Sequence, residues 1–328
     1  MPSSARTVAI LCGALLMSLS PTIQSQTRFE QIGTIPGPAN VVKTDGTHAY
    51  VVHHRTFTIF DVSDPTAPRQ TGSLTLPEQI WQFRVRGDRA YVGANFHGLS
   101  ILDVSDPTDP RELGAYKSLG QTKVGAVYDN RVASIDHMEG LVLIDVSNET
   151  APTSLGSFFL DGYARDVVTS GPIAYATDSP TGVYVFDLGQ EGQPEPIAVL
   201  HAPAAPRSAL QVSDLPNGST LLAGIGQGGL QVYDVTDPRA PVKTAAFDTP
   251  GEASGLALRQ NLAFVADGSA GVQVVDLTDP TAPRIVGSFQ TPRPARDVAA
   301  ADSLLFVVVG QSEREGDDRD ILILRTSG

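Results

Sequence analysis

A phrase of turn residues recurring at 42-residue intervals, four short β-prone segments within each interval, and an N-terminal segment resembling the one strand missing at the C-terminus predict an all-β, seven-bladed β-propeller. The phrase reads Asp61-Val-Ser-Asp-Pro65, Asp103-Val-Ser-Asp-Pro107, Asp145-Val-Ser-Asn148, Asp187-Leu188, Asp234-Val-Thr-Asp-Pro238 and Asp276-Leu-Thr-Asp-Pro280. The intervals are 42, 42, 42, 47 and 42 residues. A period of this length built from short apolar segments suits a four-stranded blade, because helical repeats of similar length need long amphipathic stretches.

Within one interval, 255–258, 262–266, 272–276 and 284–289 are rich in Val, Leu, Phe and Ile and are separated by Gly, Asn, Asp and Pro. These are strands a, b, c and d. The turn after strand c is structural punctuation, since an Asp side chain accepts backbone N–H bonds and Pro presets φ. A calcium reading of the repeated Asp-x-x-Asp is the alternative; Pro follows directly, and capping leaves only one carboxylate per turn. The last interval, 295–325, carries a, b and c but no d. Phe29-Glu-Gln-Ile-Gly-Thr-Ile35 matches the d strands at 69–74, 153–158 and 284–289, so it is expected to pair with 321–324 and close the ring without an exposed edge.

Arg6 precedes an apolar run from Val8 to Leu19, broken by Ser20-Pro21. That is the pattern of a signal peptide covering 1–25, with cleavage near Ser25, leaving 26–328 as a single propeller domain in an exported, periplasmic or secreted protein with no membrane span. Cys12, the only cysteine, falls within that run, so the exported part has no thiol for disulfides, metal or nucleophilic chemistry. The net charge of −13 disfavours a nucleic-acid or anionic-membrane binder. No Gly-x-Ser-x-Gly elbow or phosphate-binding Gly-rich loop is present.

The segments Leu-Val-Leu-Ile-Asp-Val-Ser (141–147) and Leu-Ser-Ile-Leu-Asp-Val-Ser (99–105) resemble the LVIVD-repeat family of exported bacterial and archaeal proteins. The resemblance implies the propeller fold over nearly all of the exported chain and little about activity. Blade 4 departs from it with Asp187-Leu-Gly-Gln-Glu-Gly-Gln-Pro, and blade 7 has Arg325 where Asp is expected.

Propeller ligands usually meet the face carrying the d–a and b–c connections. Ten residues before the aromatic site of strand b stand Asn40, Trp81, Lys123, Arg165, Ser254 and Arg296, with Arg207 added by pattern in blade 5. Four cations in seven equivalent places would focus potential onto anions. The competing expectation is that each pairs with a carboxylate such as Asp166, Asp297 or Glu252. Arg165-Asp166 and Arg296-Asp297 are strand neighbours whose side chains point oppositely, which favours an open ring.

His53, His54, His97 and His137 map at or beside b–c connections of the first three blades, and His201 to the d–a connection entering blade 5. His48 maps to the opposite face. With Asp136 and Asp178, and Asp267 at an equivalent place, the candidates His54, His97 and His137 would hold Zn²⁺, Mn²⁺ or a similar divalent ion, or move protons; the alternative is that they are solvated loop residues. Trp81 and Tyr163 approach the rim, where they would stack on a sugar or simply pack. The charged run 311–320 would form either a flap over the mouth or a solvated loop.

Two functions follow. One is a non-catalytic exported propeller that binds an anionic small molecule, a saccharide or a protein at this face. The other is a metal-assisted or His-based lyase or hydrolase acting on a carboxylated or other anionic substrate there, with Lys123, Arg165, Arg207 and Arg296 orienting it.

Overall fold

The computed structural model describes residues 27–160, 162, 164–179, 181–201, 210–215, 218–224, 228–311 and 319–327. Every element among them is a β-strand, arranged as seven antiparallel four-stranded sheets in a ring. The proposed signal segment, Arg207, Tyr163 and most of the 311–320 run lie outside the described residues. No helix among the described residues is long and apolar enough to cross a membrane.

Blade 6 illustrates the unit: Gly255–Arg259, Leu262–Ala266, Val272–Asp276 and Arg284–Phe289, paired in that order. Blade 7 completes itself from the other end of the chain. Arg28–Ile35 pairs antiparallel with Arg319–Ser327, placing Gln31 opposite Leu324 and Ile35 opposite Ile321. Phe29 then packs on Phe289 of blade 6, ring centroids 5.7 Å apart, so the seam is covered as well as hydrogen-bonded.

The described core divides into seven apolar clusters, each between two adjacent blades. Phe57 of blade 1 meets Phe83 of blade 2 edge-on at 5.3 Å in one of them. A strand sandwiched between two neighbouring blades is buried on both faces, and such strands read as continuous apolar runs. Leu141, Val142, Leu143 and Ile144 are all buried, which is the physical basis of the repeated apolar phrase.

The turn phrase joins blades as well as ending strands. Asp64 Oδ1 accepts the Thr66 amide at 3.0 Å, and Asp61 Oδ1 accepts the Ser63 amide at 3.0 Å. Both carboxylates therefore cap the turn, which corrects the expectation that one is spare for calcium. The outer strands of blades 1, 2, 3 and 7 bulge one residue before a Gly, Gly72, Gly114, Gly156 and Gly33, and that Gly abuts the turn of the next blade. A Cβ on Gly72 would lie 2.4 Å from the Pro107 carbonyl oxygen, and one on Gly33 would lie 2.1 Å from that of Pro65. The recurring Gly and the recurring Asp-Pro turn are two sides of one contact.

Candidate functional site

The seven a strands are innermost and touch their neighbours around the axis. Their first residues hold corresponding places: the amides of Asn40, Trp81 and Ser254 donate to the carbonyls of Val52, Gly93 and Ala266 at 2.8, 2.9 and 2.9 Å. Lys123 is the second residue of its strand, opposite Ile135; Arg296 is the second of its own, at the register shift between Ala295 and Asp297; and the Arg165 amide donates to Thr177 Oγ1 at 3.1 Å.

Below this ring lies a charge-balanced plug that sequence reasoning did not identify. Arg84 Nη2 donates to Asp166 Oδ1 at 3.1 Å, and Lys43 Nζ lies 3.7 Å from Asp297 Oδ2. The carboxylates also clip blades together: Leu210 N donates to Asp166 Oδ2 at 3.0 Å, and Val42 N to Asp297 Oδ2 at 3.1 Å. Burial holds the Lys43 amine below its ordinary pKa; Asp297 opposes that shift, and Arg84 adds to it. The pairing expected between mouth cations and Asp166 or Asp297 is thus replaced. Those carboxylates point inward to Lys43 and Arg84, and neither Arg165 nor Arg296 forms an ion pair with a described carboxylate. The sequence signal was present in Lys43 and Arg84, two places further along their strands than Val41 and Gln82, but contacts spanning 82 and more residues have no local signature.

The mouth is not uniform. Lys123 Nζ sits 5.5 Å from the centre of the Trp81 ring, a cation–π contact, while Trp81 Nε1 donates to Asn95 Oδ1 at 3.4 Å. Arg165 is exposed. His137 stands beside them: its pKa is lowered first by partial burial, then by the charges of Lys123 and Arg165, with Asp136 opposing. Across the ring, Arg296 lines a cavity of about 420 Å³ with Pro250, Glu252, Ser269 and Pro294, its Nε donating to the Gly310 carbonyl at 3.3 Å. Asn40 Oδ1 accepts from the buried Arg319 at 3.1 Å. Arg319 and Asp320, read from sequence as part of a flap or a solvated loop, instead begin a strand; Asp320 accepts the Gly37 amide at 2.8 Å and pairs with Arg293.

The candidate metal ligands are dispersed. His54 stacks edge-on against His53 at 4.1 Å in blade 1. His97 Nε2 contacts Glu112 Oε1 of its blade's outer strand at 3.0 Å. Asp136 receives the Gly120 and Met138 amides at 3.1 and 2.7 Å; Asp178 receives the Gly162 amide at 2.9 Å, and Asp267 that of Gly251 at 2.9 Å. These three carboxylates fasten the d–a connections to the b–c side, a structural duty. Asp178 Oδ2, fully buried, has no hydrogen-bond partner among the described residues. His201 ends the outer strand of blade 4, exposed, rather than lying in the following connection. His48 contacts Asp45 at 3.6 Å on the other face. Among the described residues no three His, Cys, Asp or Glu side chains converge as a metal site.

Comparison with known proteins agrees with this architecture. The LVIVD repeat model matches residues 36–75, 80–118, 132–159 and 250–291, in blades 1, 2, 3 and 6. No curated protein matches the sequence. Among solved structures, a chain of the mitotic checkpoint complex is 12% identical, with TM-score 0.70 over 98% of this chain and 99% of that one. The Cps50 (Swd1) β-propeller domain of Myceliophteria thermophila is 11% identical, with TM-score 0.69 over 92% and 100%. The computationally designed Ika8 protein is 13% identical, with TM-score 0.61 over 85% and 83%. At these identities the likeness concerns the fold alone. The chain is a seven-bladed β-propeller that carries LVIVD repeats in four segments.

Proposed function

We propose that this protein is an exported binding scaffold whose d–a/b–c face receives an anionic ligand, a saccharide or a protein segment, at the mouth of its channel. One observation carries the reading. Asp166 and Asp297, the carboxylates adjacent in sequence to Arg165 and Arg296, are occupied by Arg84 and Lys43 deeper in the channel. Arg165 and Arg296 therefore keep their positive charge at the mouth, in a protein of net charge −13. Export rests on Arg6, the apolar run 8–19 and the break at Ser20-Pro21.

The metal-assisted or His-based lyase or hydrolase reading gains no specific support from the layout. His97 turns to Glu112, and Asp136 and Asp178 serve the connections. Titration calorimetry with an oligouronate tests the scaffold. Affinity should fall as salt rises and fall roughly tenfold on Arg165→Ala or Arg296→Ala, the weight of one good charged contact. Binding indifferent to both changes removes the proposal.

A further inference from the structure

Seven large apolar side chains are well exposed among the described residues, and four of them stand in consecutive connections of one face: Phe96 (58%), Leu119 (77%), Met138 (66%) and Phe159 (63%). Phe96 and Met138 lie in the b–c connections of blades 2 and 3; Leu119 and Phe159 lie in the d–a connections leaving those blades. The connections touch in series. A Cβ on Gly98 would lie 2.9 Å from the Ser118 amide nitrogen, one on Gly120 would lie 2.7 Å from Met138 Cγ, and one on Gly140 would lie 2.9 Å from Phe159 Cα.

The apolar character is not a requirement of the blade. Strand register puts Asp248 and Gln290 of blades 5 and 6 at the place of Phe159, and Ser269 of blade 6 at that of Phe96 and Met138. The same turns are thus built with polar residues elsewhere in the ring, so folding does not account for exposing Phe96, Met138 and Phe159 here. A contiguous exposed apolar area rimmed by charge marks an interaction site.

The rim gives the partner's chemistry. Lys117 is exposed on the connection that carries Leu119, and Lys123 and Arg165 adjoin His137, next to Met138. Nearby carboxylates are engaged: Glu112 with His97, Glu139 with the Leu119 amide at 3.4 Å, Glu78 with Asn95 at 3.3 Å, and Asp136 in its turn. We infer that the face of blades 2 to 4 docks an acidic protein segment bearing apolar side chains, its Leu or Phe residues on Phe96, Leu119, Met138 and Phe159 and its carboxylates toward Lys117 and Arg165. This rests on the anion-binding reading of the mouth and narrows it to a protein partner and to one sector.

A peptide array tests both levels separately, using synthetic 12-residue peptides in which the numbers of Asp/Glu and of Leu/Phe vary independently, followed by fluorescence anisotropy on the best binders. Binding should require both residue classes, and the double change Phe96→Ser with Met138→Ser should weaken it at least tenfold, the effect expected of central apolar anchors. Leu155→Ser, exposed on an outer strand away from this face, is the control and should bind as the parent does. Thermal unfolding should be unchanged in both variants.

If peptides bind by their acids alone and lose affinity on Arg165→Ala but not on Phe96→Ser with Met138→Ser, the inference falls while the mouth reading stands. If neither set of changes matters, both fall. If no peptide binds, the inference falls. Dimerisation seen by sedimentation velocity and abolished by Phe159→Ser would assign the patch to a second copy instead. Binding to phosphatidylglycerol vesicles in preference to peptides would assign it to lipid. Either result overturns the inference.

Discussion

Asp297 Oδ2 lies 3.7 Å from Lys43 Nζ and accepts the neighbouring Val42 amide at 3.1 Å, so one carboxylate ties the innermost strand of blade 7 to that of blade 1. Asp166 repeats the arrangement between blade 4 and blade 5 and takes Arg84 from across the channel. Removing Asp297 strands a partly buried amine and an amide donor together. Asp297→Ala should cost about 2–3 kcal/mol in urea unfolding, whereas Asp297→Asn, which still accepts the amide, should cost less. Equal losses would mean that the ion pair contributes nothing beyond the amide bond.

The ring is closed by a strand from the N-terminal end. Deleting 28–35 should expose the edge of Arg319–Ser327, uncover Phe289, lower the midpoint of thermal unfolding by several degrees or more and promote association. Differential scanning calorimetry with sedimentation checks this. An unchanged midpoint would show that the seam carries no stability.

Gly72 is fixed by the approach of the next blade, not by its own φ. Gly72→Val would drive its Cβ into the Pro107 carbonyl, 2.4 Å away, and should destabilise by about 1–3 kcal/mol in denaturant unfolding. Gly171, with open space around it, tolerates Asn there, a residue that accepts positive φ; Gly171→Asn should be close to neutral.

Hydrogen bonds in the turns hold several carboxyls below their ordinary range. Asp61 falls to about 2, chiefly through the Ser63 hydroxyl and amide and then Arg69; Asp103 falls to about 2 through the Ser105 hydroxyl and amide and then Arg111 and Arg89. A carboxyl lowered in the fold contributes stability that is complete above its unfolded pKa of 3.8 and disappears as pH falls through its folded value. Stability should therefore decline between about pH 4 and pH 2. Asp103→Asn should remove part of that decline, and a pH series of urea midpoints measures it.

His137 reports on the mouth. Its midpoint by NMR should lie below the ordinary histidine value and rise when Lys123→Ala or Arg165→Ala removes a neighbouring cation. A midpoint insensitive to both would place the cations elsewhere. Burial and the neighbouring cations both disfavour the charged form of His137, so the positive field proposed for the mouth would come from Lys and Arg.

Much of the fold could be read before any coordinates because its determinants are periodic and local. The Asp-Val-Ser-Asp-Pro turns, the doubly buried strand c and the likeness of 29–35 to the other d strands gave blade count, order and closure, and the boundaries of Leu262–Ala266, Val272–Asp276 and Arg284–Phe289 match those expected. The equivalence of Asn40, Trp81 and Ser254 was also legible, since a constant spacing from strand b fixes it. Chemistry at the site was less so. Asp136, Asp178 and Asp267 look like ligands in sequence, and in the structure each accepts backbone amides of a connection; an Asp that caps an amide and an Asp that awaits a metal share one local pattern.

The sequence by itself determined the ring, because each blade repeats the same short-range instructions and only the chain ends had to find each other. The tertiary structure alone decided which charges face outward. Lys43 and Arg84 meet Asp297 and Asp166 only once the blades surround the axis, and that pairing separates the inner plug from Lys123, Arg165 and Arg296 at the mouth. It also brought the connections carrying Phe96, Leu119, Met138 and Phe159, isolated residues in the sequence, into contact on one face, because connections about 20 residues apart become neighbours within a sheet and between adjacent sheets.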